Sequence, residues 1–530
     1  MRGRFGWAAL LACVLVVGSS TSALSKKAPP APPLPSWPQA HSDIPADPTI
    51  IFGVLPNGMR YLIKKNTMPA HQVALRLRIA AGSLDETDDE EGIAHFLEHM
   101  AFRGSKNVAD GDVSKTLQSL GASPGSDTNA FTLPDNTVFM FDIPVNDDAA
   151  LDKGLMLTRE IAGNLSLDQK ALDSERSVVL AEERQGDVAG RHAYKVYMAE
   201  IFGARIADAM LPIGKVATVK EVQAPLIRNF YSAYYRPELA VLAIVGDIDP
   251  QAVEAKIKAH FSDWKAAAPA VKPPAYTVAF GTGLHTTVFT EPATSTTATM
   301  SWVMPDDNAS DSVAKTQRSI IRSIAFAVLN QRLEKLVLSA KPPFDHAGAS
   351  YVQYNTLADV AALTVAYRPG QALEALRAAH DTYADILHSG VAQEEVDRAV
   401  SNWRTSYQSF VVASHTLRSP GLASAYLGAV DRNDVIDSPE DGLALFESSV
   451  KNLTAEQITA VLHTLLAGDP FVFISSPTPI EGAEKDVAAI FAQTQQSAPV
   501  AQASPVPVWP YTSFGPDAKW PPRRRSTIWV

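Results

Sequence analysis

The spacing of apolar positions changes along the chain between two periods, which predicts a mixed α and β protein. Residues 72–80 alternate between apolar and polar side chains, as a half-buried strand does. Residues 148–164 and 372–389 instead carry apolar side chains every three or four positions, the spacing of a helix packed on one face. The pattern therefore predicts an α+β fold with strands and helices in both halves of the chain.

Two segments of similar length, 50–265 and 278–494, present their predicted strands and helices in a similar order. An alanine- and proline-rich stretch at 266–274 separates them. Since the similarity lies in the order of the elements and not in the residues, we predict two α+β domains of one architecture. Proline-rich residues 24–49 and 495–530 flank these domains and are predicted to be a linker and a tail.

Length and composition agree with this division. A chain of 530 residues is too long for one core, and 46% hydrophobic with 19% charged residues is typical of a globular protein. The net charge of −11 argues against a nucleic acid as the partner.

The N-terminus has the three parts of a secretory signal peptide. Arg2 and Arg4 precede an apolar run over residues 5–17, and small residues follow up to Ala23. We predict that residues 1–23 are a signal peptide, because the apolar run is too short for a comfortable membrane span. The expected location is the bacterial periplasm or the outside of the cell, with no stable membrane span.

Cys13 is the only cysteine and lies inside the predicted signal peptide. The residues before it loosely resemble a lipoprotein cleavage site, but the apolar run continues past Cys13. Lipid anchoring at Cys13 is therefore the less favoured alternative. After removal of the signal, the chain would contain no cysteine and form no disulfide.

Residues His95, Glu98 and His99 form an H-x-x-E-H sequence within a predicted helix over 91–103. At about 100° per helical residue, the three side chains share one narrow face. Neutral imidazoles are suitable zinc ligands, and the glutamate of this motif can act as a general base beside the metal. The alternative is a polar helix face on which two histidines occur by chance.

A catalytic zinc needs a third protein ligand, and the predicted helix over 168–184 offers candidates. Glu175 and Glu182 are seven residues apart and therefore lie nearly above one another. Val178 and Val179 lie between them on the same predicted face. A buried stripe with a carboxylate at each end is unusual for a helix of a soluble protein, and it suits a helix that points one carboxylate at a metal.

Glu183 falls off this stripe and is predicted to be solvated. The alternative for the whole segment is a row of surface glutamates that pair with Arg176 and Arg184.

Several ordered motifs resemble the inverzincin peptidases of family M16, which include pitrilysin, insulin-degrading enzyme and the mitochondrial processing peptidase. The resemblance rests on GSLDE at 82–86, HFLEHMAFRGS at 95–105, DTNAFT at 127–132 and ERSVVLAE at 175–182. Over 278–494 it is weaker and rests on element order and on residues 329–333. The chain is most similar to the N-terminal half of a long bacterial member.

The resemblance implies a fold and a set of site residues. Each domain would be an αβ sandwich, with an antiparallel-rich sheet and helices packed on one face. His95, His99 and Glu182 would bind one Zn²⁺ per chain. Glu98 would be the general base that takes a proton from a zinc-bound water, and Glu175 would be a second, outer catalytic glutamate.

The resemblance also implies how substrate and partners bind. Asn129, Ala130, Phe131 and Thr132 would form a sheet edge on which a peptide or unfolded protein adds as a strand. The first domain would be catalytic, and the second would carry no metal site. Active family members close four such domains around the substrate, on one chain or from two subunits.

The expected function is therefore that of a zinc metalloendopeptidase. The alternative is a non-catalytic or partner-dependent half that binds zinc and peptides. Such a half would form a homodimer or a heterodimer with a second M16 half.

Overall fold

The computed structural model describes residues 35–123, 125–145, 147–278, 283–354 and 357–493. The predicted signal peptide with Cys13, the first part of the predicted linker and the predicted tail lie outside these residues. The described residues form helices and strands in both halves, which confirms the α+β fold class. No helix within the described ranges has the length and apolar character needed to cross a membrane.

The first half forms one sheet and a set of helices. Its strands are β1 (Ile50–Val54), β2 (Arg60–Lys65), β3 (Val73–Ile79), β4 (Thr128–Thr132), β5 (Thr137–Ile143) and β6 (Ala240–Gly246). Its helices are α1 (Ile93–Met100), α2 (Asp112–Ser119), α3 (Asp148–Gly163), α4 (Gln169–Gly186), α5 (Ala189–Phe202), α6 (Ala204–Ala209), α7 (Val216–Glu221), α8 (Ala224–Tyr234) and α9 (Pro250–Phe261).

The second half forms another sheet with its own helices. Its strands are β7 (His285–Thr290), β8 (Thr297–Met304), β9 (His346–Tyr354), β10 (Ala358–Ala366) and β11 (Phe471–Ser476). Its helices are α10 (Val313–Val337), α11 (Ala372–Ser389), α12 (Gln393–Ser414), α13 (Ser419–Asp431), α14 (Pro439–Val450), α15 (Ala455–Leu465) and α16 (Ala483–Gln493).

The two sheets have the same topology. The strand order is β1-β2-β6-β3-β5-β4 in the first sheet and β7-β11-β8-β10-β9 in the second. Strands β2 and β6 are parallel, as are β7 and β11, and the other neighbouring strands are antiparallel. The repeated order of elements is therefore a repeat of the backbone topology, with β1 added at one edge. The domain limits at 50–265 and 278–494 stay predictions.

The helices that belong to each half pack mainly on one face of their own sheet. In the first half, the space between sheet and helices is a hydrophobic core. Its largest side chains include Phe96, Phe139, Phe141 and Phe230. A second core of the same kind surrounds Phe446 in the second half. These two cores match the implied arrangement of helices on one face of an antiparallel-rich sheet.

The opposite face of each sheet receives a helix from the other half. Helix α13 lies across β3 and β6, where Ala423, Leu427 and Val430 are buried. Helices α5 and α6 pack against the second sheet through Met198 and Phe202 of α5 and Ile206 of α6. The apolar pattern predicts neither α5 nor α13, and each helix buries one face against the sheet of the opposite half.

The described part of the predicted linker also packs on the protein. Trp37 is buried, and its ring centroid lies 5.0 Å from that of Phe52 on β1. The amide of Asp47 donates to the carbonyl oxygen of Ile436 at 2.8 Å. Residues 35–49 therefore join the two halves and do not extend freely from them.

Candidate metal centre

The helix that carries the H-x-x-E-H sequence is held firmly at its N-terminus. Gly92 precedes α1 with a φ of 100°, and a Cβ there would lie 2.9 Å from the carbonyl oxygen of Ile213. The buried Glu86 carboxylate accepts hydrogen bonds from the amides of Gly92 at 2.9 Å and Ala94 at 2.7 Å. Burial raises the pKa of Glu86 to about 8, while these two amides oppose the rise. Glu86 thereby satisfies amides that a helix N-terminus leaves unpaired.

Helix α4 carries the acidic partners of this motif. The Asp168 side chain caps its N-terminus, and the helix packs against α1. Glu175 and Glu182 both point toward α1, as their spacing predicts. Val179 is buried, but Val178 is 49% exposed, so the prediction of a continuous buried stripe is wrong. Val178 and Glu182 lie at the border between the covered and the open side of α4.

One further prediction about α4 is wrong, and the alternative of a pairing with Arg176 does not occur either. The Glu183 side chain is only 17% exposed, because α5 folds back and brings Arg191 within 2.9 Å of its carboxylate. Arg176 does not pair with either glutamate of the stripe. Its guanidinium donates to the carbonyl oxygens of Val219 and Val222, the latter at 2.6 Å.

The structure brings the three predicted zinc ligands together. Glu182 Oε2 lies 3.2 Å from His99 Nε2 and 3.7 Å from His95 Nε2. One potential ligand atom from each residue lies within 4.8 Å of the others, and no second group of this kind occurs in the described part of the chain. Ligands at about 2.0–2.2 Å from a tetrahedral zinc are roughly 3.3–3.6 Å apart. This set of two imidazoles and a carboxylate therefore fits zinc in chemistry, and its two separations to Glu182 are close to the expected size.

A chain of polar contacts continues behind His99. Its Nδ1 lies 3.0 Å from Glu175 Oε1, and Glu175 Oε2 accepts a hydrogen bond from Arg103 at 2.6 Å. Arg103 also donates to Asp110 through two nitrogens, at 2.9 and 3.1 Å. With Nδ1 donating to Glu175, the Nε2 atom of His99 is the one free to bind a metal.

Arg103 is a residue to which the sequence analysis assigns no role. Its spacing could have indicated a role. Arg103 follows His99 by four positions, so both side chains can reach the same neighbouring helix, α4.

The two histidines differ in charge state because their surroundings differ. Burial and the neighbouring His99 lower the pKa of His95 to about 4, which keeps that imidazole neutral. Burial also disfavours a charge on His99, but hydrogen bonds to Glu175 and Glu182 outweigh it and raise the pKa of His99 to about 9. The same bonds to His99 lower the pKa of both glutamates.

Glu98 lies beside the three converging side chains and is not one of them. It is buried, and its Oε2 accepts a hydrogen bond from the Thr132 hydroxyl at 2.9 Å. Burial raises the pKa of Glu98, and the bond from Thr132 opposes this rise. A carboxylate with a raised pKa is suited to take up a proton.

Strand β4 contains the residues predicted to bind substrate and lies at the edge of the first sheet. Asn129 and Phe131 are exposed on one face, whereas Ala130 and Thr132 are turned to the face that carries α1. All four residues lie on an edge strand, and the Thr132 hydroxyl donates a hydrogen bond to Glu98. That contact is absent from the sequence-based prediction.

Comparison with known proteins identifies the family. The profile "Insulinase (Peptidase family M16)" matches residues 61–195, and the profile "Peptidase M16 inactive domain" matches residues 221–402. Together they cover more than half of the chain. The chain belongs to peptidase family M16. The resemblance of its motifs to this family is thereby confirmed.

Curated relatives in family M16 include two bacterial proteins named probable zinc protease PqqL. The protein from Haemophilus influenzae is 28% identical over 462 residues, which are 85% of this chain and 49% of the relative. The protein from Escherichia coli is 35% identical over 220 residues, which are 41% of this chain and 24% of the relative. The chain thus spans about half the length of the first relative and matches less of the second.

A solved structure of the family has the same two-domain fold. The crystal structure of the first half of the periplasmic protease PqqL from Escherichia coli superposes with a TM-score of 0.79 at 26% identity. The match covers 87% of this chain and 99% of that chain.

Proposed function

We propose that this protein is a zinc-dependent endopeptidase that hydrolyses peptides or unfolded polypeptides. The observation that carries the proposal is the convergence of His95, His99 and Glu182 donor atoms within 4.8 Å, beside the buried Glu98. Two imidazoles and a carboxylate are a ligand set of catalytic zinc, which leaves a position open for substrate or water. The family relatives named zinc proteases support the same conclusion.

Each residue of the centre has a proposed task. When bound, zinc polarises a water molecule and the peptide carbonyl. Glu98 accepts a proton from the attacking water at a carboxylate oxygen and returns it to the leaving amine nitrogen. Glu175 accepts the Nδ1 hydrogen of His99 and so fixes the orientation of that ring.

The proposed substrate site is the edge of β4 formed by residues 129–132. In the antiparallel ladder between β4 and β5, hydrogen-bonded and non-hydrogen-bonded pairs alternate. Asp127 and Leu133 bond across to the other strand, so Ala130 and Thr132 direct their main-chain groups outward. In agreement, the Ala130 amide donates to the Asn129 side chain. A substrate strand that pairs with this edge would gain affinity with little dependence on its sequence.

A second candidate function is that of a half that acts only with a partner. The match to 99% of the first half of Escherichia coli PqqL, and to 49% of the Haemophilus influenzae relative, favours it. The partner would be a second M16 half, supplied as a homodimer or a heterodimer. In that case this chain would bind zinc and peptide, and the partner would complete the chamber.

We propose the periplasm as the site of action, with secretion as the alternative. The description of Escherichia coli PqqL as a periplasmic protease supports this location. The charged and apolar pattern of residues 1–23 is consistent with it.

The proposal is tested by the cleavage of an internally quenched, unstructured peptide. The purified chain is first sized by light scattering, stripped of metal with a chelator, and then assayed with and without added zinc. We expect cleavage that zinc restores. Glu98→Gln should retain zinc and lose at least about 100-fold of the cleavage rate, because the general base is absent.

Two outcomes separate the candidates, and a third tests the role of Glu98 in both. Zinc-dependent cleavage by a monomer supports an independent peptidase and excludes the partner-dependent half. Cleavage only by a dimer, or only after addition of a second half, supports the partner-dependent function. Normal cleavage by Glu98→Gln would contradict the role assigned to Glu98 in either case.

A further inference from the structure

Thr132 connects two parts of the site, the proposed substrate strand β4 and the Glu98 carboxylate. It is the last residue of β4, the strand proposed to receive the substrate, and its side chain is 8% exposed. The hydroxyl does not face solvent at the edge of the sheet. It donates a hydrogen bond to Glu98 Oε2 at 2.9 Å.

This bond constrains the Glu98 carboxylate together with a weaker interaction from the Thr132 main chain. Within the described ranges, Thr132 is the only residue whose side chain donates a hydrogen bond to it. The charge of Glu98 contributes to the raised pKa of the nearby Tyr235, but the Tyr235 hydroxyl makes no hydrogen bond to the carboxylate. A glutamate has three side-chain torsions, so a carboxylate held at one oxygen retains far fewer orientations than a free one.

The position of Thr132 on β4 adds a second constraint. Its neighbour in the ladder is Thr137, in a pair that is not hydrogen-bonded, so the main-chain groups of Thr132 point away from β5. A peptide that adds to this edge would therefore contact the main chain of the residue whose hydroxyl holds Glu98.

We propose that Thr132 is a positioning residue, which orients the Glu98 carboxylate and ties its position to the strand on which the peptide binds. This inference rests on the proposed peptidase function. It assigns to Thr132 a role in the catalytic step, beyond the substrate binding expected of the whole segment.

The test compares two substitutions at Thr132 with a matched control. Thr132→Val keeps the branched side chain and removes the hydroxyl, whereas Thr132→Ser keeps the hydroxyl. Thr128→Val is the control, because Thr128 lies on the same strand and the same face, is equally buried, and has a hydroxyl without a hydrogen-bond partner.

We expect Thr132→Val to lower kcat for the quenched peptide about 10- to 100-fold, with KM changed less than about twofold. Thr132→Ser should recover most of kcat, and Thr128→Val should behave as the wild type. Zinc content and the affinity for zinc, measured by competition with a chelator, should be the same in all variants.

Crystal structures of the metal-free variants provide a readout that does not depend on activity. The Glu98 carboxylate should move from its position in Thr132→Val and keep it in Thr128→Val. An unchanged carboxylate in Thr132→Val would overturn the inference even if the wild type cleaves no peptide. A loss of cleavage in Thr132→Ser as large as in Thr132→Val, or a change in KM alone, would also overturn it. Absence of cleavage by the wild type would instead contradict the proposed function.

Discussion

The two halves of the molecule contain helix pairs at equivalent places in the fold, α1 with α4 and α10 with α12, and use them in different ways. In the first half, α1 and α4 bring imidazoles and carboxylates together in a site whose Glu182 side chain is 51% exposed. In the second half, α10 packs against α12, and Arg332 occupies their contact. Its guanidinium donates to Glu395 at 2.7 and 3.0 Å and to Asp385 at 2.9 Å. The Glu395 side chain is only 8% exposed.

The difference shows that the fold supplies the helix pair and that a few side chains decide its use. An arginine satisfies two carboxylates internally and leaves no ligand atom for a metal. Two imidazoles instead leave nitrogen atoms directed at a third ligand. The first half therefore contains an accessible candidate metal centre, and the second contains a closed ion pair.

The largest effect is expected for Glu182→Gln. Loss of this ligand should lower the affinity for zinc by more than about 100-fold, since outer contacts alone account for 10- to 100-fold in metal sites. Competition with a chelating dye measures the change. The unfolding temperature without metal should stay nearly constant, because the side chain is half exposed. Unchanged zinc affinity would remove Glu182 from the ligand set.

The corresponding change in the second half, Glu395→Gln, should act on stability and not on zinc. Arg332 would keep its bond to Asp385 but lose the charge of Glu395. Loss of one charge of a buried pair should lower the free energy of unfolding by about 3 kcal/mol. Urea unfolding measures the loss. The control is Glu394→Gln, a neighbouring exposed residue whose substitution should change the free energy of unfolding by less than about 0.5 kcal/mol. A change in zinc affinity for Glu395→Gln would break the comparison between the halves.

A smaller effect is expected for Arg103→Gln. Glu175 would lose one of its two partners and hold His99 less firmly, so zinc affinity should fall about tenfold. The same chelator competition measures it. Arg184→Gln serves as the control. Arg184 lies on the exposed side of α4, so its substitution should leave the affinity for zinc unchanged. Equal affinities in both variants would show that the contacts behind Glu175 do not influence the centre.

The smallest effect concerns a contact between the halves. Both nitrogens of His192 face carboxylates, Asp187 at 2.7 Å and Glu291 at 2.9 Å, and these bonds raise the pKa of His192. Its stabilising effect should therefore be complete well below pH 6.5 and disappear as the pH rises through the raised pKa. Because the site is exposed, the gain should stay under about 1 kcal/mol and weaken with salt.

Thermal unfolding of the wild type and His192→Gln at pH 5.5 and pH 9 tests this contact. The difference in unfolding temperature should be larger at pH 5.5. A difference that is equal at both pH values would show that His192 does not link the halves through its charge.

Much of the first half could be predicted because its information is local. The period of 3.6 residues places His95, Glu98 and His99 on one face of α1, and a spacing of seven places Glu175 above Glu182 on α4. Both relations hold whenever the segment is a helix. Burial, in contrast, depends on the neighbouring elements, as the exposed Val178 and the partly buried Glu183 show.

The sequence by itself determined the α+β class, the repeated order of elements, the family and the set of side chains proposed to bind zinc. Only the tertiary structure decided that Glu183 pairs with Arg191, that Thr132 holds Glu98, and that α5 and α13 cover the sheet of the opposite half. The physical reason is the range of the contacts. Helical periodicity is a property of neighbouring residues, whereas these contacts join side chains that become neighbours only when distant elements pack.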